Sequence, residues 1–169
     1  MEDFKNYTPP SFDVWCMKQV YLTAERSRDP STKIGSVLVR DKNIIGSGYN
    51  GFARKVLDLP ERYNNRETKY KFVVHSENNA VLTCARLGIS TLDSVLYTQA
   101  CPCHECMKSI IQGGIKEIVI HKKWPMDHAH WLKSFKISKL MAKEAEITLR
   151  YLSDKIGVTG YLNGKTIKV

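Results

Sequence analysis

The chain has 169 residues and carries 26 Lys and Arg against 17 Asp and Glu, a net charge of +9. Its length fits one domain with a real core, and no segment approaches the ~20 apolar residues that a membrane span needs. The N-terminus, MEDFKNYTPP, starts acidic and lacks the basic-then-apolar order of a signal peptide, so a cytoplasmic protein is expected. The basic balance suits phosphates, nucleotides or nucleic acid as partners, although a solvated Lys-rich surface explains the charge equally well.

Residues 11–28 place Val14, Met17, Tyr21 and Ala24 at helical spacing, with Ser11 or Asp13 able to cap the start. Pro30 then stops the helix at DPST. KIGSVLVR and NIIGSGYN flank Asp41-Lys42 and predict a β-hairpin. Residues 51–72 are polar and predict a long loop, a kind of segment that is usually functional or disordered. SENNAVLTCARLG predicts a helix closed by Gly88. The strand SVLYTQA follows, and then the helix PCHECMKSIIQGG, which opens on Pro102. IKEIVIH predicts a strand, DHAHWLKSFKISKLMAKEA a helix and EITLRYL a fifth strand. The Asn-Gly pair in the tail GVTGYLNGKTIKV predicts a small terminal hairpin. The second half alternates strand and helix, so its strands should be parallel neighbours. The expected fold class is α/β, a five-stranded mixed sheet flanked by helices, in one domain spanning 1–169 with no internal repeat or linker.

Five cysteines are present, and Cys101, Cys103 and Cys106 crowd together. In a reducing compartment such crowding points to metal or catalysis. Cys103 and Cys106 lie three apart at a predicted helix start, where the helix field favours thiolates. Two thiolates with the imidazole of His75 make a three-ligand zinc set, which leaves a fourth position for water and marks a catalytic site. Zinc lowers the pKa of such a water towards neutrality. Glu77, two residues beyond His75, is placed to carry the proton and is not itself a ligand. His75-Ser76-Glu77 followed by Pro102-Cys103-His104-Glu105-Cys106 fits the zinc-deaminase pattern H-x-E…P-C-x-x-C. A purely structural zinc would need a fourth ligand from Cys101 or His104, and Cys101 precedes Pro102, so its approach would need a strained turn. Cys16 and Cys84 fall on apolar helix faces and are expected in the core. His121, His128 and His130 have no partner pattern and are expected at the surface or behind the metal ligands.

Beyond the zinc motif, DPSTKIGSVLV, GYNGF, ERYNNRETKYKFVVHSENNAV and IIQGGIKEIVI make the chain resemble the deoxycytidylate deaminases of the cytidine deaminase superfamily. The resemblance covers about residues 12–152 and leaves 153–169 as an extension without a functional account. It implies a three-layer cytidine-deaminase-like fold and hydrolysis of dCMP to dUMP and ammonia, in the supply of pyrimidine deoxynucleotides. It implies that Glu77 protonates N3 of the pyrimidine and then helps the amino group leave. Asn50 matches the residue that hydrogen-bonds the sugar, with a plain turn residue as the alternative. Trp124 falls where an aromatic residue stands beside substrate, with core packing as the alternative. Arg26, Ser31 and Lys33 are the candidates for the 5′-phosphate, with surface solvation as the alternative for the two cations. Ala80 and Cys101 would line the pocket wall.

Two positions depart from the family pattern: Ser76 stands where Ala is usual, and Cys101 where Pro or another residue is common. The resemblance further implies a homo-oligomer, with a hexamer favoured. It also implies dCTP and dTTP as effectors acting with Mg²⁺. Rival readings are a tRNA adenosine deaminase, which would use the +9 charge, a deaminase of free cytosine or cytidine, one acting on 5-modified dCMP, and a nucleotide-binding regulator with structural zinc. The RETKY block argues against the tRNA enzyme, the candidate phosphate cations argue against free bases, and Glu77 argues against the regulator.

Overall fold

A computed structural model of the chain describes residues 7–125 and 129–169. Helix α1 (Phe12–Ala24) starts where the Ser11 hydroxyl accepts from the Val14 amide, and it buries Cys16, Met17, Val20, Tyr21 and Ala24. Strands β1 (Gly35–Arg40) and β2 (Asn43–Tyr49) pair antiparallel. They turn on Asp41 and Lys42, both in the left-handed region at φ 51° and 60°, the geometry of a tight two-residue hairpin turn. Strand β5 (Val95–Thr98), β6 (Glu117–His121) and β7 (Thr148–Leu152) follow in the alternating half and pair parallel. The sheet order is β2-β1-β5-β6-β7, with β1 and β5 antiparallel. The expected five-stranded mixed sheet is present.

The period of two along each strand sorts its side chains into two cores. Val37, Val39, Tyr97 and Val119 face α1. Leu38, Leu96, Ile118 and Ile120 face the other side, where α4 (Ser76–Leu87), α5 (His104–Gln112) and α6 (Leu132–Glu144) lie. The result is three layers with the sheet in the middle. Helix α6 begins at Leu132, after a short 3₁₀ turn over Ala129–Trp131; the start expected for it at Asp127, like His128, lies outside the described residues.

The segment 51–72 is not the loop expected. It folds as β3 (Gly51–Phe52), α2 (Glu61–Asn64) and α3 (Arg66–Phe72), and β3 pairs with β4 (Val73–Val74). Neither helix buries a residue, so no apolar period marked them. Local contacts hold them instead: the Asn65 side chain caps α3 at the Thr68 amide (2.8 Å), Phe52 stacks on Tyr63 at 4.5 Å, and Arg62 lies over the Phe72 ring at 4.4 Å.

The tail forms the expected hairpin, β8 (Thr159–Leu162) and β9 (Lys165–Lys168), around Asn163-Gly164. It is no loose appendage, because Ile156, Leu162 and Val169 are buried in the α1-side core. The Lys33 amide donates to the Tyr161 carbonyl at 3.0 Å and the Gly164 amide to the Ser31 carbonyl at 2.8 Å.

His121 is a correction: it is 2% exposed, not at the surface. The Tyr21 hydroxyl donates to its Nδ1 at 2.6 Å, so Nε2–H faces the Asp154 carbonyl at 3.3 Å and the ring is neutral. Burial holds its pKa below the usual 6.5, and the charge of Lys123 adds to this against the Asp154 carbonyl. Below 6.5 the unfolded chain binds the proton first, so this residue removes stability as pH falls through 6.5 towards the depressed folded value. Urea midpoints at pH 7.5 and 5.5 should therefore drop further for the native chain than for His121→Gln.

Candidate active site

Two helix entrances build the centre. His75 is the N-cap residue of α4, with φ −69° and ψ 156°. Cys103 is the N-cap residue of α5, with φ −70° and ψ 165°, and its sulfur accepts from the Cys106 amide at 3.5 Å. Both helices therefore aim free amides and partial positive charge at one place. The α4 entrance sits deep because β2 approaches it without a side chain at Gly48. A Cβ there would come within 2.3 Å of the Ser76 carbonyl and of the Ala80 amide.

His75 Nδ1 lies 3.4 Å from Cys103 Sγ and 3.5 Å from Cys106 Sγ. A tetrahedral zinc with Zn–S of about 2.3 Å and Zn–N of about 2.05 Å would set its N and S ligands roughly 3.5 Å apart. The residues present fit that ion, and all the ligand atoms lie within 4.8 Å of one another. The alternatives for a fourth protein ligand fall away. His104 Nδ1 bonds Ser134 at 2.8 Å and its Nε2 faces Glu105 at 3.2 Å. Cys101 stays outside the cluster as a pocket-wall residue, and burial pushes its thiol up to about 11. Three protein ligands thus leave one position open.

The electrostatics of the donor set are uneven. The Cys106 thiol donates towards Cys103 and, with the His75 hydrogen bond and charge, holds the Cys103 thiol well below its ordinary range against its burial. Cys106 is driven up by the same contact and by burial. Burial alone would lower His75, but the Cys103 hydrogen bond and the charges of Glu77 and Cys103 raise it. Glu77 is 6% exposed, and burial raises its carboxyl. Its Oε2 accepts from the Ser76 hydroxyl at 3.0 Å.

A cavity of about 440 Å³ opens over this centre. Of the expected substrate residues, Asn50 and Ser31 line it. Both polar atoms of Asn50 are engaged: Oδ1 accepts from the Ile34 amide and Nδ2 donates to the Thr32 carbonyl, each at 2.8 Å. It shapes the 29–34 segment as well as facing the cavity. Three expected residues stand away from the lining. Arg26 is exposed just past the end of α1. Lys33 lies over the Tyr161 ring at 5.3 Å. Trp124 is 3% exposed beside Tyr21 in the α1-side core, where Gly160 leaves room for its ring. The tryptophan that lines the cavity is Trp131, whose ring meets His75 edge-on at 5.9 Å and Tyr70 at 6.0 Å. Ala80, expected on the wall, is fully buried behind it.

Sequence reasoning missed Arg66, Lys69 and Tyr70, which line the cavity from α3. The Lys69 ammonium is paired with Asp29 at 2.9 Å and is largely buried with it. Arg66 is exposed, with its guanidinium 3.3 Å from the Tyr70 hydroxyl. The spacing of three and four residues in RETKY put these side chains on one helix face, but nothing in the sequence marked the segment as a helix. Leu162 and Asn163 of the terminal hairpin also reach the lining.

Residues 10–122 match the family described as the cytidine and deoxycytidylate deaminase zinc-binding region. The chain is 35% identical over 145 residues to the deoxycytidylate deaminase of Mus musculus, covering 82% of this chain and 78% of that protein. It is 34% identical over 140 residues to the deoxycytidylate deaminase of Homo sapiens, covering 79% and 75%. In three dimensions it is similar to the dCMP deaminase of the cyanophage S-TIM5 in complex with dCMP and dUMP. There the TM-score is 0.65 and the identity 20%, over 86% of this chain and all of that one, a likeness of fold.

Proposed function

The chain belongs to the deoxycytidylate deaminase family within the cytidine deaminase superfamily, and we propose on that premise that its cavity hydrolyses dCMP to dUMP and ammonia. The observation that carries this reading is a buried carboxylate, Glu77, beside a three-ligand set with one position open. Zinc held by His75, Cys103 and Cys106 supplies a Lewis acid that lowers the pKa of water at the open position. Glu77 would take one proton from the water whose oxygen adds to C4 and deliver it to N3 of the pyrimidine. It would then carry the remaining proton of the added hydroxyl to the exocyclic nitrogen, so that a C4–O bond replaces the C4–N bond and ammonia leaves. Trp131 and Tyr70 give the base an aromatic wall, and the low exposure of Glu77 keeps bulk water from competing for its proton.

The polar part of the cavity lining suits a 5′-phosphate. Lys69 is paired with Asp29, which leaves Arg66, among the described residues, as the lining cation without a carboxylate partner, and Ser31 and Thr32 add hydroxyls to the same lining. The test sets dCMP beside deoxycytidine, dCTP and a tRNA anticodon stem, following ammonia release by zinc-loaded protein. Turnover should be confined to dCMP. Arg66→Ala should raise KM for dCMP about 10- to 100-fold, the worth of one charge-assisted hydrogen bond, and leave any weak deoxycytidine turnover unchanged. A tRNA stem as the preferred substrate would overturn the reading.

The remaining parts of the proposal rest on the same kinship: a homo-hexamer, control by dCTP and dTTP with Mg²⁺, and a cytoplasmic location. Among the described residues no helix is long and apolar enough to cross a membrane. Leu82, Leu87, Leu132 and Leu140 are each more than half exposed on α4 and α6, which supports burial against further copies of the chain. Sedimentation with and without dCTP tests the assembly and its control together.

A further inference from the structure

We propose that Ser76 is a positioning residue for the reaction, fixing the Glu77 carboxylate through a buried chain of hydroxyls that runs into the sheet. The inference rests on the deaminase reading of the site.

Ser76 is the first residue of α4 and is fully buried. A hydroxyl there has two ordinary uses: capping the helix, or going unused on its face. It does neither. The cap position is taken by His75, which makes no side-chain cap bond, and the Ser76 hydroxyl donates sideways to Glu77 Oε2 at 3.0 Å. Behind it, Ser36 Oγ on β1 lies 2.8 Å from Ser76 Oγ and 3.1 Å from Thr98 Oγ1 on β5. Ser36, Ser76 and Thr98 are all 0% exposed. With the single Ser76 proton committed to the carboxylate, the 2.8 Å contact is made by Ser36 donating to Ser76, with Thr98 the longer alternative acceptor for the same proton. Buried hydroxyls cost free energy unless they are paired, so Ser36 orients Ser76, Ser76 orients Glu77, and the carboxylate is tied to β1 of the sheet.

The consequence for the reaction is directional. A carboxylate has two oxygens and rotates easily about its last bond. Holding Oε2 with Ser76 stops that rotation and leaves Oε1 as the oxygen that receives and returns the proton. Small misplacements of a proton carrier reduce rate more than binding. Ser36 supplies the hydroxyl behind Ser76, on a strand against which α4 packs.

Zinc-loaded Ser76→Ala should lose about 5- to 20-fold in kcat on dCMP, with KM within twofold, full zinc content and an unchanged melting temperature. Ser36→Ala removes the donor that orients Ser76 but leaves the bond to Oε2 in place, so it should lower kcat in the same direction by a smaller factor than Ser76→Ala. In a crystal structure of Ser76→Ala the Glu77 carboxyl plane should turn from its native orientation. The proposal is overturned by native kcat in Ser76→Ala, by a KM rise equal to the kcat loss, or by native kcat in Ser36→Ala. It is equally overturned by a Glu77 carboxylate that keeps its native orientation without the hydroxyl. That crystallographic result is independent of turnover, so it stands even if the native protein fails to deaminate dCMP, which would sink the functional reading instead.

Discussion

Glu77→Gln is expected to reduce kcat on dCMP by about 10²- to 10⁴-fold, the range for removing a positioned acid–base group, with zinc content unchanged. The substitution separates proton transfer from structure. Gln has nearly the shape of Glu, its carbonyl oxygen can still accept from Ser76, and the three ligand side chains are untouched. It cannot take a proton and give it back. A neutral amide also suits the burial better than a carboxylate does, since burial already works against the ionised form of Glu77. The variant should therefore melt no lower than the native protein. More than a tenth of native turnover in Glu77→Gln would mean that another group carries the proton, and the buried carboxylate would then need a structural reason. A regulator with a merely structural zinc has no use for the carboxylate, so in that case Glu77→Gln would leave nucleotide binding intact and have no turnover to lose.

Why the centre was legible in the sequence, and its rim was not, comes down to range. His75, Glu77, Cys103 and Cys106 each sit within one turn of a helix start, and helix starts announce themselves through caps, Pro102 and the onset of an apolar period. The sheet was legible for the same reason: Val37 and Val39 against Leu38, or Leu96 against Tyr97, alternate as two cores require. The rim is assembled from residues far apart in the chain. Asp29 pairs with Lys69 at a separation of 40 residues. No local pattern carries such contacts. Helix α3 is held by a cap and ring contacts with no buried face, so its sequence predicts a loop and does not single out Arg66 and Lys69. Trp124 and Trp131 lie in one connection between β6 and α6, and periodicity does not say which of them turns to the core. Gly160, in the tail beyond the resemblance, makes the space that takes Trp124.

Removing the metal should abolish turnover and lower the melting temperature by roughly 10 °C, and restoring zinc should reverse both. An ion at ~1,000 times its dissociation constant stabilises the fold by about 4 kcal/mol, and a domain of this size shifts about 2–4 °C per kcal/mol. The fold itself should survive, because both cores are built from side chains outside the ligand set, apart from their contact with the pocket wall. The emptied ligand cluster is also not left as bare buried charge: Cys103 takes the hydrogen bond of the Cys106 thiol and faces the His75 imidazole. Cys106→Ser should fail to recover activity on adding zinc, since a serine hydroxyl at neutral pH is a poor substitute for a thiolate. Cys101→Ser is the matched control. Cys101 is buried, lies two residues before Cys103 in sequence and lines the same cavity, yet stands outside the ligand set. It should keep both zinc and turnover. Loss of zinc from Cys101→Ser to the same degree as from Cys106→Ser would make the centre a four-ligand structural site, and the open position on which the deaminase reading depends would not exist.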